Sequence, residues 1–390
     1  MKIVYCVNNL SKIGGLQWVT VSKASALANI PGNLVWLVVT EPKINAFDID
    51  EKVKVVNLNI NYYRGTQGKG QLIQLFIILI KQLLHKKELK RLFKDISPDV
   101  VVSTGGMEKY LLTAFRSQSR ILIREIHTPS DSRLFYAKTP YERLIARIGN
   151  FLDYRVFIRR YNSIVVLTEE DKNRCWKGNN KVTVIPNPLC RNFPVPSPLN
   201  EKTVISIGEL SKGKNFSALV RSWSIVHKRH PEWNLLILGD GNERYSLQNL
   251  IDKLNLRESV SLMGRIKDVG SFLVRASMFA FSSLSEGFSL AILDAMACGL
   301  PVITYECPCG PKAIISDGRD GYLVPVGNIE EMAERICYLI ENEDFREMMG
   351  SAARKKSMLF SMDLIIRKWM TLFNNLLGNE NGNDENPLLH

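Results

Sequence analysis

Short apolar runs rich in Val, Ile and Leu, each followed by a longer stretch with helical spacing, recur through both halves of this 390-residue sequence. In the first half, residues 3–7, 34–39, 53–58, 100–103, 121–125 and 164–168 read as strands, with helical patterns near 16–29, 71–94, 108–116 and 140–160. In the second half, residues 203–207, 235–238, 260–262, 278–281 and 302–304 repeat the theme, again with helices between them. Unbroken apolar runs suit strands covered on both faces, as in parallel sheets flanked by helices. The pattern predicts an α/β chain with two doubly wound parallel sheets, whose ligands bind beyond the carboxyl ends of the strands. Prolines crowd residues 185–198 and break both periodicities, which puts the domain boundary there. The expected organisation is a first domain over 1–188, a second over 189–360, a last helix over 361–378 and a polar, disordered tail over 379–390.

Charge is divided unevenly. Residues 1–190 hold 29 Lys and Arg against 15 Asp and Glu, while the remaining 200 hold 22 against 24. The stretches 81–94 and 143–160 concentrate the positive charge, and both interleave Leu, Ile and Phe with Lys or Arg. Basic amphipathic stretches suit the anionic headgroups of a cytoplasmic membrane surface, at about 1 kcal/mol for each basic residue near the surface. No RRM, KH, zinc-finger or helix-turn-helix signature is present, so nucleic acid is not an expected partner. The longest apolar segment, 72–84, is interrupted by Gln74, Lys81 and Gln82 and falls short of the roughly 20 residues that a spanning helix needs. The seven cysteines are scattered, and Cys307 and Cys309 lack the second pair or nearby histidine of a zinc site. With no secretory pattern at the start, the expected location is the cytoplasm, peripheral on the inner face of the plasma membrane. Asp48 and Asp50 form an Asp-x-Asp in a polar connection, which reads as chance, and no metal or resident cofactor is expected.

The chemistry concentrates in residues 285–300, SEGFSLAILDAMACGL. They follow an apolar strand and read as a loop entering a helix that Gly299 and Pro301 close. The N–H groups of Phe288, Ser289 and Leu290, next to Gly287, then lie at the positive end of the helix dipole, where phosphate oxygens are stabilised. Glu286 on the loop and Asp294 about one and a half turns into the helix flank that terminus. A carboxylate accepts two hydroxyl hydrogen bonds, so the pair fits a diphosphate carrying hydroxyls at both ends.

Glu286, seven intervening residues and Asp294 resemble the E-x7-E motif of retaining GT-B glycosyltransferases, the glycogen-synthase-like and phosphatidylinositol-mannosyltransferase-like group, with aspartate in place of the second glutamate. The resemblance implies two Rossmann-like domains facing a central cleft, with the first acid on hydroxyls of the donor sugar and the second on the ribose. Residues 208–216, GELSKGKNF, resemble the family's G-R-L-x-x-x-K-N segment. There Lys214 matches the lysine that neutralises the diphosphate, while Glu209 stands where an arginine is common. Lys212 or Lys214, the Ser289 helix terminus and the Gly14–Gly15 loop are left to stabilise that charge. His127 occupies the position of the family's active-site histidine beside the donor sugar. Arg124 and Glu125 are candidates for acceptor binding, and Gly239 and Arg265 for lining the nucleotide site.

The implied reaction moves a hexosyl or N-acetylhexosaminyl group from a nucleoside-diphosphate sugar, with UDP the expected nucleotide, to a lipid-linked or surface-polysaccharide acceptor of the lipopolysaccharide or capsule kind. Glu286, His127 and Lys214 form the implied catalytic set. A nucleotide-sugar epimerase of the same fold would instead make a new sugar nucleotide without an acceptor. A catalytically silent membrane scaffold would bind no nucleotide.

Overall fold

The computed structural model describes residues 1–378 apart from 12–13, 42–46, 63, 66–67, 69, 116–118 and 138, and apart from the side chains of Gln71, Phe135 and Tyr136. Residues 379–390, the expected tail, lie outside the described residues. The chain divides into two compact units. The first comprises Met1–Leu167, Lys172–Cys190 and the segment from Met362; the second comprises Thr168–Asp171 and Arg191–Ser361.

In the first unit the strands are β1 (Lys2–Val7), β2 (Leu34–Val39), β3 (Val53–Asn57), β4 (Val100–Ser103), β5 (Ile121–Glu125), β6 (Ser163–Val166) and β7 (Val182–Val184). They form one sheet in the order β3-β2-β1-β4-β5-β6-β7, every neighbouring pair parallel. In the second unit β8 (Thr203–Ile207), β9 (Asn234–Leu238), β10 (Val260–Gly264), β11 (Met278–Phe281), β12 (Val302–Tyr305) and β13 (Gly321–Val324) order as β10-β9-β8-β11-β12-β13, also parallel throughout. Each order reverses direction once, between β1 and β4 and between β8 and β11. Such reversals open a crevice beyond the carboxyl ends of the flanking strands.

Two strands, β7 and β13, were not expected from the sequence. Each is a short edge strand, β7 with only three residues and β13 headed by a glycine, so neither makes a run that stands out from its surroundings. The helical pattern over 140–160 is three pieces: the helix Pro140–Phe151, a wider turn over Leu152–Val156 and a tighter one over Phe157–Arg160.

The helix Gly15–Ala28 packs on the first sheet through Val19, Lys23 and Leu27, a stripe with a spacing of four. The helix Met362–Leu377 adds Ile365, Trp369 and Phe373 to the same core, beside Tyr5 and Val7 of β1. Full burial of each such side chain contributes about 1.5–3 kcal/mol, enough to fix this last helix on the first unit. Among the described residues no helix is long and apolar enough to cross a membrane.

Candidate active site

The crevice of the second unit is bounded by the loops after β8 and β11, and hydrogen bonds tie these loops together. The Ser282 hydroxyl bonds the carbonyls of Lys214 (3.1 Å) and Asn215 (3.0 Å), the Ser283 hydroxyl bonds that of Gly213 (3.2 Å), and the Leu284 N–H donates to the same Gly213 carbonyl (2.8 Å). This pinning brings Lys214 to Glu286, and the two form an ion pair with the ammonium also over the Phe281 ring at 5.2 Å. Glu286 is 9% exposed, and a Cβ on Gly310 would lie 2.5 Å from the Glu286 Cβ, so the backbone of residue 310 fits only as glycine against this acid.

The helix Leu290–Ala297 starts where the sequence places it. Ser289 is extended at its N-cap, and its hydroxyl accepts from the Ile292 N–H at 3.4 Å. The first-turn N–H groups of a helix have no intrahelical acceptor, and this helix begins four residues after Glu286. Phe288 turns its ring inward against Phe360, centroids 5.4 Å apart, which leaves only its backbone for a ligand.

Asp294 is placed differently from the expectation. Rather than standing open at the helix mouth, its carboxylate is 4% exposed and paired with Arg191. Burial pushes it up to about 6, against the pull of Arg191. Arg191, in the proline-rich connection, was not singled out in the sequence; its signal, a lone arginine in an apolar linker, is weak.

Gly239 ends β9 with φ of +148°, and a Cβ there would lie 1.8 Å from the Gly208 carbonyl oxygen. Only glycine lets these two strand-end loops touch. Arg265 and Lys212 are exposed, as is Glu209, so the charge reversal at 209 lies in solvent.

In the first unit Gly14 is the N-cap of the helix Gly15–Ala28, in an extended conformation open to any residue, and its carbonyl accepts from the Trp18 N–H at 2.9 Å. Arg124 donates to the carbonyl and hydroxyl of Ser103 at 3.1 and 3.2 Å. Glu125, expected to bind the acceptor, is 1% exposed and paired with Lys23 rather than open to solvent. His127 Nε2 lies 3.4 Å from Glu125 Oε1. Lys23 was also missed, although a lysine within the stripe of Val19 and Leu27 is a readable sign of a buried charge. Asp50, of the Asp-x-Asp, accepts from the Lys52 N–H and the Asn29 amide at 2.9 and 2.8 Å, a capped turn.

Two units of parallel Rossmann-like sheet, the second with a paired lysine and acid beside a helix N-terminus, define the GT-B class of α/β architecture. Residues 192–356 match the family model described as Glycosyl transferases group 1. An uncharacterized glycosyltransferase of Haemophilus influenzae is 28% identical over 94% of this chain and 98% of its own length. The amylovoran biosynthesis glycosyltransferase AmsD of Erwinia amylovora is 26% identical over 96% of this chain and 99% of its own. Among solved structures, S. aureus TarM bound to UDP superposes with a TM-score of 0.74 at 16% identity, covering 96% of this chain and 99% of that one, which is a likeness of fold. The chain is a glycosyltransferase, and its residues 192–356 are similar to the group 1 family.

Proposed function

We propose that this enzyme transfers a sugar from a nucleoside-diphosphate sugar, UDP being the expected nucleotide, to a lipid-linked or surface-polysaccharide acceptor with retained anomeric configuration. The observation that carries the reading is the Lys214–Glu286 pair, held by pinned loops beside the N-terminus of the helix Leu290–Ala297. Supporting it, AmsD is named for amylovoran biosynthesis and the TarM structure contains UDP.

On donor binding the pair exchanges partners. Lys214 and the helix amides meet the diphosphate, whose negative charge grows as the glycosidic bond breaks, and Glu286 turns to hydroxyls of the sugar. Asp294, drawn from Arg191, accepts the ribose hydroxyls. The leaving phosphate assists attack of the acceptor hydroxyl on the same face, because neither Glu286 nor another acid acts as the nucleophile of a glycosidase-type double displacement. No step calls for a metal.

The first unit carries the acceptor side and the membrane. Its helix Gln71–Ile96 exposes Leu72, Phe76, Leu79 and Leu83 ahead of Lys86, Lys87, Lys90, Arg91 and Lys94, and the helix Pro140–Phe151 exposes Leu144, Ile145, Ile148 and Phe151 alongside Arg143 and Arg147. Apolar faces edged with positive charge suit an anionic bilayer surface.

Turnover of Glu286→Ala with UDP-sugar donors tests the site. The expected result is a loss of about 10²–10³-fold; unchanged turnover would discard the assignment.

A further inference from the structure

We propose that Lys23 is a positioning residue for His127: through the Glu125 carboxylate it holds the imidazole with Nε2 toward Glu125 and leaves Nδ1 to accept a hydrogen bond from a substrate hydroxyl. This rests on the reading above, in which His127 serves the transferred sugar.

A lysine with no access to water is a costly group to keep. The Lys23 ammonium has one acidic partner, Glu125 Oε1, and two aromatic faces, Trp369 at 4.6 Å and Tyr5 at 5.6 Å. A purely structural pair would have the remaining polar atoms around it bonded. Here Glu125 Oε2, the Tyr5 hydroxyl and both ring nitrogens of His127 are buried without a hydrogen-bond partner. Buried polar atoms are nearly always paired. Four unpaired atoms around the carboxyl end of β5, where ligands of such sheets bind, point to a partner that the protein does not supply. The contact from His127 Nε2 to Glu125 Oε1, 3.4 Å, is long for a hydrogen bond, as catalytic contacts often are before substrate binds.

Charge explains why a lysine stands behind the acid. Burial alone would raise Glu125, but Lys23 and His127 hold it down at about 2, so the carboxylate is an anion under all working conditions. The titratable groups around the Glu125 carboxylate are His127 just beyond β5, Lys23 from the helix Gly15–Ala28 and Tyr5 from β1, with the Cys190 thiol near Lys23. With Lys23 present the Glu125 anion is balanced by a cation that cannot leave it. With Lys23 removed the imidazole is the one group left to balance Glu125; it takes a second proton, and Nδ1 becomes a donor.

The test is an NMR titration of the histidine rings in full-length protein, with the His127 signal assigned by its loss in His127→Ala. In Lys23→Met the His127 midpoint moves upward by about one pH unit or more, as expected for losing a charge a few ångströms away. In Glu125→Gln, which keeps shape and a carbonyl acceptor for Lys23, it moves downward, and the pH profile of turnover shifts in the same senses. An unmoved midpoint in Lys23→Met, or in Glu125→Gln where the first variant does not fold, overturns the proposal. Undiminished turnover in His127→Ala would instead reject the substrate-facing role, while the ring titration of the other variants still decides the coupling to Lys23.

Discussion

Both units build the same doubly wound sheet, and each places an acid–base pair near the carboxyl ends of its central strands, yet the pairs differ in their access to water. In the second unit Lys214 is 27% exposed beside Glu286 and Arg191 is 29% exposed beside Asp294. In the first unit Lys23 and Glu125 are each 1% exposed. A half-exposed base can leave its acid for a ligand at little cost, because water or the ligand's own charge replaces the lost contact. A fully buried pair cannot separate without leaving a bare charge in a low dielectric, so it is suited to fixing its neighbours. The contrast suits the second unit's pairs to exchanging partners, as proposed, and the first unit's pair to holding a side chain in place.

The sharpest way to break this contrast is to remove the exchanging base. Lys214→Met should lower turnover about 10²–10³-fold, measured as UDP release, because the leaving diphosphate loses its cation. A loss smaller than about tenfold, or about 1.4 kcal/mol, would remove Lys214 from that role. Next in size is Asp294→Asn, which should raise the Kd for UDP about tenfold through weaker bonding of the ribose hydroxyls. Asp294 ionises with a midpoint of about 6. Above that pH its carboxylate accepts hydroxyls, so UDP affinity should fall as pH drops through 6, and this limb should vanish in the Asn variant.

The holding pair gives a smaller signal in stability. Glu125 is depressed to about 2 in the folded chain from an ordinary value of 4.5. Its contribution to stability is therefore full above the ordinary value and is lost as pH falls from there through 2. Glu125→Gln should flatten that part of a plot of Tm against pH; an unchanged slope would mean that the pair is not ionised as described.

How far these regions could be read from sequence follows from the same physics. The central strands of both sheets were legible because strands buried on two faces favour apolar runs, unbroken in β2 and β11 and interrupted by few polar residues in β4 and β8. The edge strands β7 and β13 were not, since half-covered strands tolerate mixed residues. The helix at Leu290 was legible from the residues that close it, Pro301 and Gly299, the latter with φ of +78°. Partners brought from afar were illegible. Arg191 meets Asp294 across 103 positions and Lys23 meets Glu125 across 102, and no local pattern records such pairings. For that reason Asp294 was expected to be open and Glu125 to face an acceptor.

The smallest expected effect concerns the surface of the first unit, where the second unit shows no comparable basic excess. Leu79→Glu and Phe151→Glu, at exposed apolar positions, should each reduce co-sedimentation with phosphatidylglycerol vesicles several-fold at moderate salt. Binding that is unaffected by these changes but abolished by salt would assign the attraction to charge alone.

The account turns on the second unit holding a nucleoside diphosphate between Lys214 and the helix that begins at Leu290. Calorimetric titration of UDP into the wild-type chain and Lys214→Ala tests it directly. One saturable site, weakened at least about tenfold in the variant, is the predicted result; absence of saturable binding, or an equal Kd in both proteins, would contradict it.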